Sequence, residues 1–180
     1  MRLLPTFITS LFLAAALFSF APKAHAEEAK SFLVEKSKRP KSPKFSHKSI
    51  DGKRHKLKKM KGDVVVLNFW ATWCAPCLQE LPYLAAFQKK YKKKGFTVLA
   101  VSNDGPETAS KVRTVAKRKK LTMPVFHDTS GEIVAKHNPR GANPFTVFID
   151  KNGRIAYTHE GYAPGDEKKY EKLIEELLAE

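Results

Sequence analysis

Trp70-Ala71-Thr72-Trp73-Cys74-Ala75-Pro76-Cys77 is the stretch that decides how this chain reads, because it holds both cysteines of the 180-residue sequence. They are spaced C-x-x-C. The apolar run Val64-Val65-Val66-Leu67 before them reads as a buried strand. Leu78-Gln79-Glu80-Leu81 after them reads as a helix start. A cysteine at such a strand-to-helix turn sits where free backbone N–H groups and the positive end of the helix dipole stabilise a thiolate. A thiolate attacks disulfides, and a second cysteine one turn along can resolve the mixed disulfide. The pattern therefore points to a redox dithiol. Three other readings stay open from the residues alone: half of a zinc site, an inert structural disulfide, or a copper-binding pair completed by a distant histidine. The zinc reading lacks a second C-x-x-C or an H-x3-5-H pair. A structural bridge closing so short a loop stabilises little.

The N-terminus reads as an export signal. Arg2 precedes a nearly continuous apolar run from Leu3 to Ala21, and Ala24-His25-Ala26 offers a small-residue cleavage site before Glu27. Residues 1–26 are thus expected to be removed after Ala26, with an uncleaved membrane anchor as the alternative. Export suggests a bacterial periplasm, an oxidising compartment in which a lone C-x-x-C persists as a disulfide unless something reduces it. The formal net charge is +15; without Arg2 and Lys23 it is +13. The lysines are scattered over Lys53 to Lys61, Lys89 to Lys94 and Lys117 to Lys120, and no nucleic-acid motif accompanies them. Together with export, this argues against a nucleic-acid partner and for a solvated basic surface.

Residues 27–43 are rich in Lys, Ser and Pro and read as a flexible lead-in. Residues 44–180 suit one domain. Phe45 to His47 and His55 to Leu57 flank the turn signal Asp51-Gly52, a hairpin. Val64 to Phe69 reads as a central strand buried on both faces. A helix follows from about Cys77 to Lys93, with Pro82 expected to kink it and Gly95 to end it. Phe96 to Val101 is a strand, Pro106 to about Lys119 a helix, Pro124 to Phe126 a short strand and Glu132 to His137 a short helix. Phe145 to Asp150 and Ile155 to His159 form an antiparallel pair around Lys151-Asn152-Gly153, and Asp166 to Glu180 is a terminal helix. The order ββ-βαβαβα-ββα is α/β, a mixed sheet with helices on both faces. His47, His55, His127, His137 and His159 show no ligand spacing, so each reads as solvated or capping and no metal is expected. Glu80 lies one helical turn beyond Cys77. From spacing alone it reads equally as a desolvated carboxylate able to take the Cys77 proton or as a surface acid favouring the helix start.

These features resemble the thioredoxin-fold family, and within it the exported TlpA/ResA/CcmG-like thiol-disulfide oxidoreductases, over about residues 43 to 180. The resemblance rests on Asn68 to Cys77, Glu80-Leu81-Pro82, Asn143-Pro144-Phe145-Thr146-Val147-Phe148-Ile149-Asp150 and Gly161-Tyr162. It implies a thioredoxin-like fold with an added N-terminal β-hairpin, Cys74 as the exposed attacking thiol of a redox-active disulfide, and Cys77 as its buried resolving partner. It implies that Glu80 handles the thiol protons, since Asn68 stands where cytosolic thioredoxins carry a buried Asp. It matches Pro144 to the family's cis-proline, facing the dithiol, with the Asn143 backbone pairing to an extended substrate and Trp73 rimming the substrate surface. Trp70 reads equally as core.

The expected activity is protein-disulfide oxidoreduction with no cofactor, most simply as a reductase. The resemblance implies protein substrates carrying disulfides or thiols, such as apocytochrome c or a copper-site assembly protein, and a membrane electron donor. A disulfide-forming oxidase of the same fold and a copper-binding assembly module using Cys74, Cys77 and a His remain alternatives. A peroxidase is disfavoured because the residues around Cys74 lack the Pro, Thr, Cys pattern of peroxidatic sites.

Overall fold

The computed structural model describes residues 31–180. The expected export signal over 1–26, its cleavage after Ala26, and residues 27–30 of the lead-in lie outside the described residues. Among the described residues no helix is long and apolar enough to cross a membrane.

The elements are β1 (Ser46–Lys48), β2 (Arg54–Lys56), β3 (Val64–Trp70), α1 (Ala75–Tyr91), β4 (Phe96–Ser102), α2 (Ala109–Arg118), β5 (Val125–His127), α3 (Glu132–His137), β6 (Phe145–Ile149), β7 (Ile155–Glu160) and α4 (Asp166–Ala179). β1 and β2 form the expected N-terminal hairpin, and the other strands make one sheet in the order β5-β4-β3-β6-β7. β3, β4 and β5 run parallel, while β6 is antiparallel to both β3 and β7. This is the thioredoxin-like arrangement expected from the order of elements.

β3 lies at the centre and is buried at all seven positions. Successive side chains alternate faces. Val64, Val66 and Trp70 therefore enter one core with Leu81 and Leu84 of α1, Val112 and Val115 of α2, and Leu173 and Leu177 of α4. Val65, Leu67 and Phe69 enter the other, with Phe45, Leu57, Phe126 and Ile133. The hairpin and α3 thus cover the face that the three longer helices leave open. Phe45 meets Phe126 edge-on at 5.0 Å between ring centroids, and Ile50 N–H donates to Val125 O, which seats the hairpin turn on the β5 edge.

α1 begins at Ala75, two residues before the expected start, because Pro76 suits the first helical turn. It continues through Pro82, whose exposed ring does not end the helix. A short 3-10 turn, Lys92–Lys94, ends at Gly95 with φ of 80°, and a Cβ there would stand 3.1 Å from Asp63 Oδ1.

Two expectations are corrected. Residues 31–43 do not lie free. Val34 N–H donates to Ala156 O, Ile155 N–H to Pro40 O, and Ser42 N–H to Gly153 O, so the segment covers the outer edge of β7. The physical reason is the unpaired polar edge of a terminal strand, which this segment satisfies. Arg39 anchors it: 3% exposed, it donates to Asp150 Oδ2 at 3.0 Å and in bidentate fashion to the Glu180 carboxylate at 2.7 and 2.8 Å. The second correction is His137, which is buried against Phe45 rather than solvated; burial pushes its pKa down to about 4.

Candidate functional site

β3 ends at Trp70 and the chain turns through Ala71-Thr72-Trp73 into α1, with Cys74 as the residue capping the helix. Cys77 N–H donates to Cys74 Sγ at 3.2 Å. A first-turn amide of the helix therefore points at the sulfur that would carry thiolate charge. Cys74 and Cys77 are joined as a disulfide with an S–S distance of 2.03 Å and Cα atoms 5.3 Å apart.

Asp104, just past β4, fixes the turn. Its Oδ2 accepts from Thr72 N–H at 2.9 Å and from Ser102 Oγ at 2.7 Å, and its Oδ1 accepts from Thr72 Oγ1 at 2.5 Å. In the disulfide form Cys74 is 4% exposed and Cys77 fully buried, so the expected contrast between an exposed and a hidden sulfur is small. Trp73 beside them is 72% exposed, whereas Trp70 is wholly buried core.

Glu80 is fully buried on α1, one turn beyond Cys77. The spacing left its setting open, and the structure excludes the surface reading. Asn68 Nδ2 on β3 donates to Glu80 Oε2 at 2.8 Å, and Thr146 Oγ1 on β6 donates to Oε1 at 2.9 Å. Asn68 also donates to Thr146 Oγ1 at 2.9 Å, closing a buried triangle. Burial pushes the Glu80 pKa up to about 7, and the hydrogen bonds from Thr146 and Asn68 hold it from rising further. Such a group changes charge near neutral pH, as a proton acceptor for a thiol must.

The Asn143–Pro144 peptide bond is cis, and Pro144 leads directly into β6. Phe145 pairs with Phe69, so the sheet brings Pro144 to the end of β3 from which the dithiol loop leaves. Asn103, which sequence reasoning missed, ties the two loops. Asn103 N–H donates to Trp70 O at 3.1 Å, and Asn143 Nδ2 donates to Asn103 Oδ1 at 3.0 Å. Asn138, buried after α3, donates to Ala142 O at 2.8 Å and accepts from Ala142 N–H at 3.2 Å. Polar residues at loop ends carry no sequence signal that says which loop they will hold. Among the described residues, no group of three His, Cys, Asp or Glu side chains is arranged to hold a metal ion.

Comparison with known proteins places this geometry among its relatives. The Redoxin family pattern matches residues 37–174. The thiol-disulfide oxidoreductase ResA of Bacillus cereus is 38% identical over 114 residues, which cover 63% of this chain and 64% of that protein. ResA of Bacillus thuringiensis subsp. konkukian is 38% identical over 120 residues, 67% of this chain and 68% of its relative. The chain thus aligns over about two thirds of the length of these relatives. A Chlorobium tepidum protein assigned as the thiol:disulfide interchange protein DsbE has a crystal structure similar at a TM-score of 0.70. It is 32% identical, with 78% of this chain and 96% of that one covered.

Proposed function

Because the chain belongs to the Redoxin family, in its ResA-like branch of thiol-disulfide oxidoreductases, we propose that it exchanges electrons with disulfide-bearing proteins through Cys74 and Cys77, acting as an exported reductase. The observation that carries this reading is the Cys74–Cys77 pair at the start of α1 with the buried Glu80 one turn behind it. In the reduced protein, Cys74 thiolate attacks one sulfur of a partner disulfide, and the partner's other sulfur leaves as a thiolate. Cys77 gives its proton to Glu80 and attacks Cys74 Sγ. The partner's second sulfur then leaves. The Cys74–Cys77 disulfide forms, two electrons pass to the partner, and its two thiolates take up protons, one of them returned from Glu80. The Asn143 backbone beside Pro144 aligns the partner as an added strand, and Trp73 rims the contact.

Residues 1–26 direct export and are removed after Ala26, which places residues 27–180 in the periplasm. There an exported dithiol is drained by oxidation, so a membrane electron donor reloads it. The substrates in this reading are apocytochrome c thiols held as a disulfide, or a copper-site assembly protein. The names of the ResA and DsbE relatives support thiol-disulfide exchange; the low-dielectric setting of Glu80 supports its role as base.

Equilibration with thiol buffers tests the direction. A reduction potential near that of thioredoxin, about −270 mV, is expected for an electron donor. A value near DsbA's, about −120 mV, overturns the reductase reading and makes the protein an oxidant. Cys74→Ser is expected to abolish turnover, and full activity in that variant sinks the assignment altogether.

A further inference from the structure

We propose that the groove beside Trp73 receives an extended, acidic stretch of the partner protein, and that Lys111 and Arg118 set this preference. The inference rests on the thiol-disulfide reading above and names a substrate class for it.

The groove has a volume of about 440 Å³. One wall is Thr72 and Trp73, from the turn that delivers Cys74; the other is one face of α2, which runs from buried Val115 to exposed Lys111 and Arg118. It therefore begins one residue from Cys74, within reach of the neighbours of a partner cysteine joined to that sulfur. On α2 the lining recurs at Ser110, Lys111, Thr114, Val115 and Arg118, which is one helical face. Lys111 and Arg118 stand two turns apart, about 10 Å along the axis. An extended chain covers that distance in about three residues.

The charge is one-sided. α2 contains no acidic residue. Neither Lys111 nor Arg118 has a salt-bridge partner among the described residues, whereas Lys90, Lys136 and Arg39 all pair with acids. The groove's one carboxylate, Asp104, is 2% exposed and its oxygens are taken up by Thr72 and Ser102. Attraction between exposed charges fades beyond roughly 10 Å at 0.1 M salt. Cations that share a groove with Trp73, the neighbour of Cys74 in sequence, therefore discriminate between partners, while the many lysines elsewhere raise encounter only generally.

The experiment compares three disulfide peptides of equal length with Glu, Ser or Lys near the cysteines, reduced by the full reduced protein, alongside the neutral small molecule hydroxyethyl disulfide. The Glu peptide is expected to react roughly tenfold faster than the Lys peptide at low salt, with the ratio shrinking as salt rises. Lys111→Glu with Arg118→Glu is expected to cancel or invert the ratio and leave hydroxyethyl disulfide unchanged. Lys58→Glu with Lys59→Glu, at the opposite end of β3, is expected to leave the ratio intact. Equal rates for the three peptides, or faster reaction of the Ser or Lys peptide, overturn the groove proposal. So does a ratio that survives in the α2 variant or vanishes equally in the Lys58 and Lys59 variant. Failure to reduce hydroxyethyl disulfide sinks the oxidoreductase reading instead. In that case, anisotropy of the labelled Glu peptide with serines in place of cysteines decides the groove: binding lost with the α2 substitutions upholds it, and binding unaffected by them overturns it.

Discussion

Asn68 Nδ2 donates to Glu80 Oε2 at 2.8 Å, joining the central strand β3 to the helix that carries the dithiol. Thr146 on β6 holds the other carboxylate oxygen. The base candidate is thus fixed by two strands and a helix at once, in a site dry enough to hold its pKa at about 7.

Glu80 links pH to stability. Its folded pKa, about 7, lies above its ordinary 4.5, so the folded protein keeps a proton that the unfolded chain releases. The resulting stabilisation is complete below the unfolded value and is lost as pH rises through about 7. It amounts to on the order of 3 kcal/mol. Urea unfolding of wild type and Glu80→Gln at pH 5 and pH 8 is expected to show the variant gaining on wild type as pH rises. A pH-independent difference contradicts the buried-acid account. The variant is also expected to lose the neutral-pH inflection in the rate of mixed-disulfide resolution.

Thr146→Val removes the donor to Oε1 while keeping the side chain's shape. The ionised carboxylate loses stabilisation, so the rate inflection is expected to move alkaline by about one pH unit, since 1.4 kcal/mol corresponds to one unit. The pH profile of single-turnover reduction reads this directly, and an acid shift contradicts it.

Arg39→Ala leaves Asp150 buried at 4% exposure without its cation. Removing one partner of a buried pair costs about 3 kcal/mol. Denaturant titration is expected to show that loss, with the rate on hydroxyethyl disulfide nearly unchanged because Arg39 lies at the β7 edge.

Asn138→Ala deletes both hydrogen bonds to Ala142, the residue before Asn143. About 2 kcal/mol of stability is expected to go with them. The loop proposed to align the partner loosens, so kcat/KM on a protein disulfide is expected to fall about tenfold, as small misplacements of a positioned reactant can cause. The rate on the small neutral disulfide is expected to stay within about twofold; an equal fall on both substrates places the effect at the dithiol instead.

The order of elements was legible because hydrophobic period and turn residues are local signals. Val64 to Phe69 reads as a two-face-buried strand from its apolar run, Gly95 as a helix stop, and Lys151-Asn152-Gly153 as a turn. The C-x-x-C spacing points to a redox dithiol, and the resemblance to a known family points to Pro144. Arg39 was not legible, since a lysine- and proline-rich stretch looks the same whether solvated or laid along a strand edge. His137 was missed for the same reason: its burial depends on Phe45, more than ninety positions earlier in the chain.

Sequence by itself determined where this chain's two cysteines stand, and so that redox chemistry is open to it. Two cysteines three positions apart at a strand-to-helix turn place a sulfur at the positive end of a helix, and that follows from local backbone geometry. Only the tertiary structure decided what surrounds that sulfur. The setting of Glu80 depends on Asn68 and Thr146, which come from strands 78 residues apart in sequence. The charge of the groove depends on α2 folding back beside Trp73. A pKa and a surface potential are sums over neighbours in space, and only the packed sheet specifies those neighbours.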